Sequence, residues 1–490
     1  MNTSTSFSRL NHHLQAKTKI VATVGPACLE ETQLMALAQA GVDVFRINMA
    51  HGSPHQHLET VQKIRRVSAE MQFSLGILVD LGGPKIRLGV LPGDAIECVE
   101  GAEFRFIRGR NPTHASELVT TYERLVDELD VGDRILLADG LVAMLVVAKE
   151  PNEAIVRVIQ SGIIRSRQGV NLPGVKLSVQ ALTDYDRECA RWAVQQAKID
   201  FLGLSFVRRA EDVLELRKLI EECAPTGHRP HIIAKIEKPE ALENLEAIVQ
   251  AADGAMVARG DLGVEIDVAR LAVEQKKIIR TCNRLLKPVI TATQMLDSMQ
   301  NGKQPTRAEA TDVANAILDG TDACMLSGET AVGLNPVAAV QMMNRIALAT
   351  EPLLAELPDP PFPENIPPGL HFVTQVTLFN ACRIAEQLEA KFMVVATHSG
   401  VSALAVSKQR PHIPVLGVSD SPGALQQMAL NWGVIPLAGV PTDGVTKLIN
   451  AVEEWGRAYQ SLATGDRLVV VASDAWTKTG HNMVLVHRLD

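Results

Sequence analysis

From Lys19 onward, short apolar runs alternate with stretches whose apolar positions recur every three or four residues. The runs have the character of buried strands, and the stretches that of helices with one face on a core. KIVATVG, VDVFRIN and LGILVD, the last ending at Asp80, read as strands, and the segments near Glu31–Ala40 and Ser53–Ala69 read as helices. Between Pro84 and about Val179 the helical period gives way to Val- and Ile-rich runs broken by turns, such as VGDRILLADG and NEAIVRVIQSG, as expected of a small all-β unit. The alternation then resumes with IDFLGLS, HIIAKIE, GAMVA, KPVITAT and DACMLS, bringing the strands outside the insertion to about eight, the number that closes a parallel barrel. Six prolines between Pro358 and Pro368 deny both helix and central strand, so this stretch reads as a linker. Beyond it FMVVAT, PVLGVS, VIPLAG and DRLVVVAS are short buried strands of a second, largely parallel sheet. The predicted fold is α/β: a (β/α)8 TIM barrel over 17–83 and 180–355, an inserted β-barrel lid domain at 84–179, and a C-terminal α/β domain at 356–490, preceded by a flexible N-terminus at 1–16.

The densest chemistry lies in HIIAKIEKPEALENLEAIVQAADGAMVARGDLG, from His231 to Gly263. It reads as a strand ending at Glu237, a helix opening at Pro239, a strand from Gly254 to Ala258, and a polar, glycine-flanked turn holding Asp261. In a right-handed βαβ unit, Lys235, Glu237, Arg259 and Asp261 gather at the carboxyl ends of neighbouring strands, where α/β proteins bind ligands. Lone charges at strand ends are usually just solvated, but four converging on strands this apolar point to a site. Two nearby carboxylates repel unless a proton or cation separates them, and hard oxygen ligands favour magnesium or manganese.

Composition narrows the setting. The 490 residues, 46% hydrophobic and 21% charged, suffice for two or three globular domains. A net charge of −8 and a pI near 5.9 argue against nucleic acid or an acidic membrane as partner. The seven cysteines are scattered, without C-x-x-C spacing, so neither a zinc site nor a disulfide framework is indicated. With no signal-peptide pattern and no run of eighteen apolar residues, a cytoplasmic protein is expected.

RINMAHG, GVNLPG, GDLGVEI, PVITATQMLDSM and PTRAEATDVANAILDGTDACMLSGET stand in this order along the chain, which on these motifs resembles the pyruvate kinase family over nearly its whole length. The resemblance implies transfer of the phosphoryl group of phosphoenolpyruvate to ADP, giving pyruvate and ATP, in a barrel capped by a mobile β lid, within a homotetramer. Phosphoryl transfer passes through a loose, negatively charged transition state, so positioning and positive charge matter most. By resemblance, Lys235 stabilises the migrating phosphoryl, and Glu237 and Asp261 ligate Mg2+ or Mn2+. Arg46 binds substrate phosphate, with Ser205, Gly260 and Thr293 also lining the substrate, and Thr293 helps place the proton delivered to the enolate. Arg87, Asn48 and His51 match nucleotide-binding positions, while Ser327 and Glu329 match supporting ones. In the tail, Thr397, Ser399, Gly400 and Ser402 match the loop that holds a phosphorylated effector, with Val401 where some members carry arginine.

Four departures matter. Two hydroxyls that bind an essential potassium ion in many members are Ala50 and Leu81 here, and the glutamate of their P-E-I-R motif is Lys85. The Lys85 ammonium, grouped with Asn48 and Asp80, is therefore expected to replace the potassium charge, so that potassium is not required. Lysines common elsewhere are Gly82 and Gln168, which removes positive charge near the phosphate path unless Arg167 compensates. Two other readings compete. One is a metal-dependent lyase acting on pyruvate enolate, disfavoured by the lid and Lys235; the other is a non-catalytic metabolite sensor, disfavoured by the intact Arg46, Lys235, Glu237, Asp261 and Thr293.

Overall fold

A computed structural model of the chain describes residues 16–109, 112, 114–138, 140–175, 177–227, 229–358, 360–367, 369–473 and 480–490. The expected flexible segment at 1–16 lies, apart from its last residue, outside the described residues.

Eight strands form the barrel: β1 (Lys19–Thr23), β2 (Val44–Asn48), β3 (Gly76–Asp80), β4 (Phe201–Leu204), β5 (His231–Ile236), β6 (Gly254–Ala258), β7 (Val289–Ala292) and β8 (Ala323–Leu326). Neighbours pair in parallel in chain order, and β1 closes the ring on β8. Strands β1, β3 and β6 are buried at every position, because helices cover one face and the packed lumen the other. That is why they read as unbroken apolar runs rather than alternating ones. Val21, Val44, Leu78, Phe201, Ile233, Met256 and Ile290 fill the lumen. The outward side chains join the surrounding helices in the main core. Helix starts follow their local signals: Ser53 caps Pro54–Glu70 and Thr306 caps Arg307–Leu318, each in a reciprocal capping box.

The insertion between β3 and β4 has its own apolar core. It contains a six-stranded sheet and a two-stranded ribbon pairing Ala95–Cys98 with Gly162–Arg165. A short α-helix, Leu125–Glu128, and a 3-10 turn, Pro92–Asp94, interrupt the all-β pattern. After the prolines, strands β9 (Phe392–Ala396), β10 (Val415–Val418), β11 (Val434–Leu437), β12 (Arg467–Ala472) and β13 (Met483–Arg488) form a sheet of order β11-β10-β9-β12-β13, parallel except for β13. This tail domain docks under the barrel, with Ala429 and Leu430 packed into the base of the lumen cluster. The carboxyl ends of the strands open on the opposite side, toward the insertion.

Candidate active site

Polar side chains enter the strands at their carboxyl ends, and barrel register decides which of them meet. Asn48 on β2 stands beside Asp80 on β3, and Asp80 stands beside Gly203 on β4. A side chain at Gly203 would put its Cβ 2.8 Å from Asp80 Oδ1, so glycine there makes room for the buried carboxylate. Asp80 then serves two cations. Arg46 Nε donates to Oδ2 at 2.9 Å, and Lys235 Nζ lies 3.3 Å from Oδ1. Burial pushes the Asp80 carboxyl up, but Lys235 and Arg46 together outweigh it and hold it below the usual aspartate value. Arg46 is steadied from β1 as well, donating to Thr23 Oγ1 at 3.1 Å.

Lys235, at the end of β5, is buried. Its ammonium donates to Ser205 Oγ at 2.8 Å and lies 2.9 Å from Glu237 Oε1. Burial opposes the charge, yet the Asp80 and Glu237 carboxylates more than compensate and raise the lysine above its ordinary value. Ser205 Oγ in turn donates a hydrogen bond to the Leu81 carbonyl at 2.7 Å. In this geometry Ser205 orients Lys235.

Glu237 follows β5, which ends at Ile236 rather than at the glutamate. It is wholly buried, and its Oε2 accepts from the Phe206 N–H at 2.8 Å. Burial raises its carboxyl, Lys235 pulls it down and Asp261 pushes it up; the outcome is a raised value. Asp261 lies in the first turn of a short helix, Arg259–Glu265, which the polar, glycine-flanked turn opens. Two carboxylates that feel each other's charge at one mouth are a fitting pair of ligands for a divalent ion. Among the described residues no group of three or more His, Cys, Asp or Glu side chains could hold a metal. A magnesium ion held here would therefore complete its octahedral shell with substrate oxygens and water, its usual habit.

Several expectations shift. The Arg259 guanidinium does not share this mouth: it turns into the wall between β6 and β7, bonding the Thr293 carbonyl at 2.7 Å and Asp312 Oδ2 at 2.6 Å. The guanidinium at the mouth is that of Arg46. Lys85 reaches Asp261 Oδ1 at 3.5 Å, while Asp80 is engaged by Arg46 and Lys235 and Asn48 Oδ1 accepts from the Ala50 N–H at 3.1 Å. The grouping of Lys85 with Asn48 and Asp80 thus gives way to a pairing with Asp261, because two nearer cations occupy Asp80. Thr293 Oγ1 accepts from the Gly260 N–H at 2.7 Å. Glu329 accepts from the Leu296 and Ser327 N–H groups at 3.0 and 2.7 Å, joining the loops after β7 and β8.

Arg87 lies on the insertion and donates to the Arg167 carbonyl at 3.2 Å, and the exposed His51 offers its carbonyl to His57 Nε2 at 2.8 Å. Gln168 folds back to accept from the Arg165 N–H at 2.6 Å. In the tail loop, Thr397 Oγ1 accepts from the Gly400 N–H at 3.1 Å, Ser402 Oγ lies 3.3 Å from His481 Nδ1, and Ser399 shares the turn. Thr23 was missed by sequence reasoning; a threonine closing an apolar strand beside the arginine strand was the available signal.

Family models described as "Pyruvate kinase, barrel domain" and "Pyruvate kinase, alpha/beta domain" match residues 15–340 and 375–487. The pyruvate kinase of Geobacillus stearothermophilus is 39% identical over 482 residues, covering 97% of this chain and 80% of that protein. Pyruvate kinase 2 of a Synechocystis strain is 42% identical over 470 residues, 94% of this chain and 77% of its own. The crystal structure of a pyruvate kinase from Cryptosporidium parvum superposes with a TM-score of 0.88 at 32% identity, covering 98% of this chain and 97% of that one.

Proposed function

The chain belongs to the pyruvate kinase family and transfers the phosphoryl group of phosphoenolpyruvate to ADP, giving pyruvate and ATP, and on that premise we propose that Lys235, Glu237 and Asp261 carry the transfer with the Lys85 ammonium standing in for a potassium ion. The lyase and sensor readings are set aside with that membership. The observation that carries the proposal is a buried ammonium between two carboxylates, with a second ammonium against the third carboxylate of the same mouth. Lys235 faces the migrating phosphoryl, whose negative charge grows at the transition state. Arg46, anchored on Asp80 and Thr23, takes a phosphoryl oxygen, and backbone N–H groups of the Arg259–Glu265 helix suit the substrate carboxylate. A divalent ion on Glu237 and Asp261 would supply Lewis acidity toward the substrate oxygens. Thr293 orients the proton that completes pyruvate, and Arg87, Asn48 and His51 lie on the nucleotide side.

The Lys85 ammonium is fixed by the chain, whereas a potassium ion must be recruited. A unit charge about 5 Å from a developing anion contributes roughly 3 kcal/mol at an effective dielectric near 20, or about two decades in rate. Turnover in buffer scrupulously free of potassium and ammonium is therefore expected to match turnover with potassium. Lys85→Glu should lose about a hundredfold in the potassium-free buffer. An enzyme silent until potassium is added would refute the role of Lys85 while leaving the kinase activity intact.

A homotetramer is supported by Val268, Val273, Val332 and Leu334, large apolar side chains left exposed on the segments after β6 and β8; sedimentation velocity would show four chains per particle. A cytoplasmic setting suits seven free cysteines. The loop holding Thr397, Ser399, Gly400 and Ser402 is read as a site for a phosphorylated effector, supported by its backbone turn at the start of a helix.

A further inference from the structure

Two consecutive residues after β7 lie in the left-handed region, Thr293 at φ 69° and Gln294 at φ 54°. For a β-branched residue this conformation is strained and persists only where the surroundings over-determine it. Arg259 is the group that does so. Its Nε donates to the carbonyls of Ala292 at 3.3 Å and Thr293 at 3.2 Å, and its Nη2 to those of Thr293 at 2.7 Å and Gln294 at 3.3 Å. Its Nη1 is held by Asp312 Oδ2 at 2.6 Å and Gln275 Oε1 at 3.4 Å, and the side chain is 6% exposed. Three successive carbonyls converging on one planar cation need the fork of a guanidinium; an ammonium is a single point. The next residue completes the arrangement. The Gly260 N–H donates to Thr293 Oγ1 at 2.7 Å, and Oγ1 donates to the Ala292 carbonyl at 2.6 Å. The hydroxyl proton and one lone pair are thus committed, and the second lone pair is left to accept from a water.

On the reading of Thr293 as the residue that orients the proton, we propose that Arg259 is a positioning residue whose guanidinium holds Thr293 in its left-handed conformation and thereby aims the water that protonates the enolate. The transfer breaks the bond between phosphorus and the enolate oxygen and forms one to an ADP oxygen, leaving an electron pair shared with the terminal carbon. A proton from the water on Thr293 Oγ1 forms the new C–H bond of pyruvate, and the hydroxide left behind is reprotonated from solvent. The Arg259 guanidinium faces the loop after β7 and Asp312, away from the mouth where the reacting groups meet. Its effect falls on the second step.

The test uses the full-length protein with Mg2+. Arg259→Lys keeps the charge but cannot span three carbonyls. It is expected to lower kcat about tenfold, consistent with misplacement of a reacting group, with the KM for phosphoenolpyruvate little changed. The solvent deuterium isotope effect on kcat should grow, and exchange of pyruvate methyl protons into deuterated water in the presence of ATP should slow by a similar factor. Thr293→Val is measured beside it. Unchanged methyl exchange in Thr293→Val overturns the reading of Thr293 itself. Slowed exchange in Thr293→Val with wild-type exchange and isotope effect in Arg259→Lys overturns the role of Arg259 alone. Should Arg259→Lys not fold, Asp312→Asn, altering a carboxylate that is 39% exposed, decides the matter: a severalfold loss of methyl exchange supports the positioning role, and full exchange overturns it.

Discussion

Asp80 places one buried carboxylate between Arg46 and Lys235, with Glu237 facing the lysine from the other side. Replacing it with asparagine takes the carboxylate from Arg46 and leaves Lys235 with Glu237 in a dry site, and Asp80→Asn is expected to destabilise by roughly 3–5 kcal/mol at neutral pH. The pH dependence follows from the sign of the shift. The folded carboxyl sits below its ordinary 3.8, so its stabilisation is complete above that value and is lost as pH falls through the lower folded value. Denaturant titrations should therefore show a constant gap between wild type and Asp80→Asn from mildly acidic to neutral pH, narrowing only below about pH 3.8. A gap already closing near neutrality would show that Asp80 is not ionised as described. At this scale Lys235, Glu237 and Asp261 were legible because charges within apolar runs demand partners. Arg259 was legible as a charge but not in direction: a long side chain at a strand end turns to whichever acceptors are nearest, and three carbonyls of β7 and its loop were nearer than the mouth.

Between elements, the insertion is tied to the barrel at its hinge. Arg208, just past β4, donates to the carbonyls of Leu177, at 2.6 Å, and Val179 on the chain returning from the insertion. Lys238 Nζ and Asn171 Nδ2 converge on the buried Glu265 at 2.7 and 3.2 Å, tying the segment after β5 and the insertion to the helix that carries Asp261. Arg208→Ala removes the partners of two carbonyls at a net cost of about 0.5–1.5 kcal/mol for each bond. Faster amide hydrogen exchange confined to the hinge, with a raised KM for ADP, is expected, and unchanged exchange there would mean that Arg208 does not hold the hinge. The strands and helices themselves were readable from periodicity and caps, as at Ser53 and Thr306. The hinge was not, because Arg208, Lys238 and Glu265 stand in different segments whose meeting depends on how the insertion folds back.

The whole molecule is held together beneath the barrel, away from the chemistry. Lys408 of the tail domain reaches Asp322 at the foot of β8 at 2.5 Å, both side chains fully buried, and also donates to Asn283 Oδ1 at 2.8 Å. Burial pulls this ammonium down to about 8 in spite of the Asp322 carboxylate. Arg410 joins at 3.1 Å while its guanidinium stacks over Trp432 at 4.8 Å. Lys408→Met leaves Asp322 with Arg410 and the Val289 N–H, and a loss of roughly 3–5 kcal/mol is expected from breaking a buried pair. Calorimetry should then resolve separate barrel and tail transitions; a single transition at the wild-type Tm would show that apolar contacts such as Ala429 and Leu430 suffice for docking.

By itself the sequence determined the kinds of element, the eight-strand barrel interrupted by a β unit, the second sheet and the family, because burial and turn chemistry are properties of each short run and the motifs stand in a fixed order. Only the tertiary structure decided which charges face one another. Asp80 went to Arg46 and Lys235, Lys85 to Asp261, and Arg259 to the loop of Thr293. The physical reason is that ion pairing is settled by distance after the barrel closes, when strands remote in sequence bring their ends within a few ångströms and each charge takes the nearest partner that offsets its loss of water.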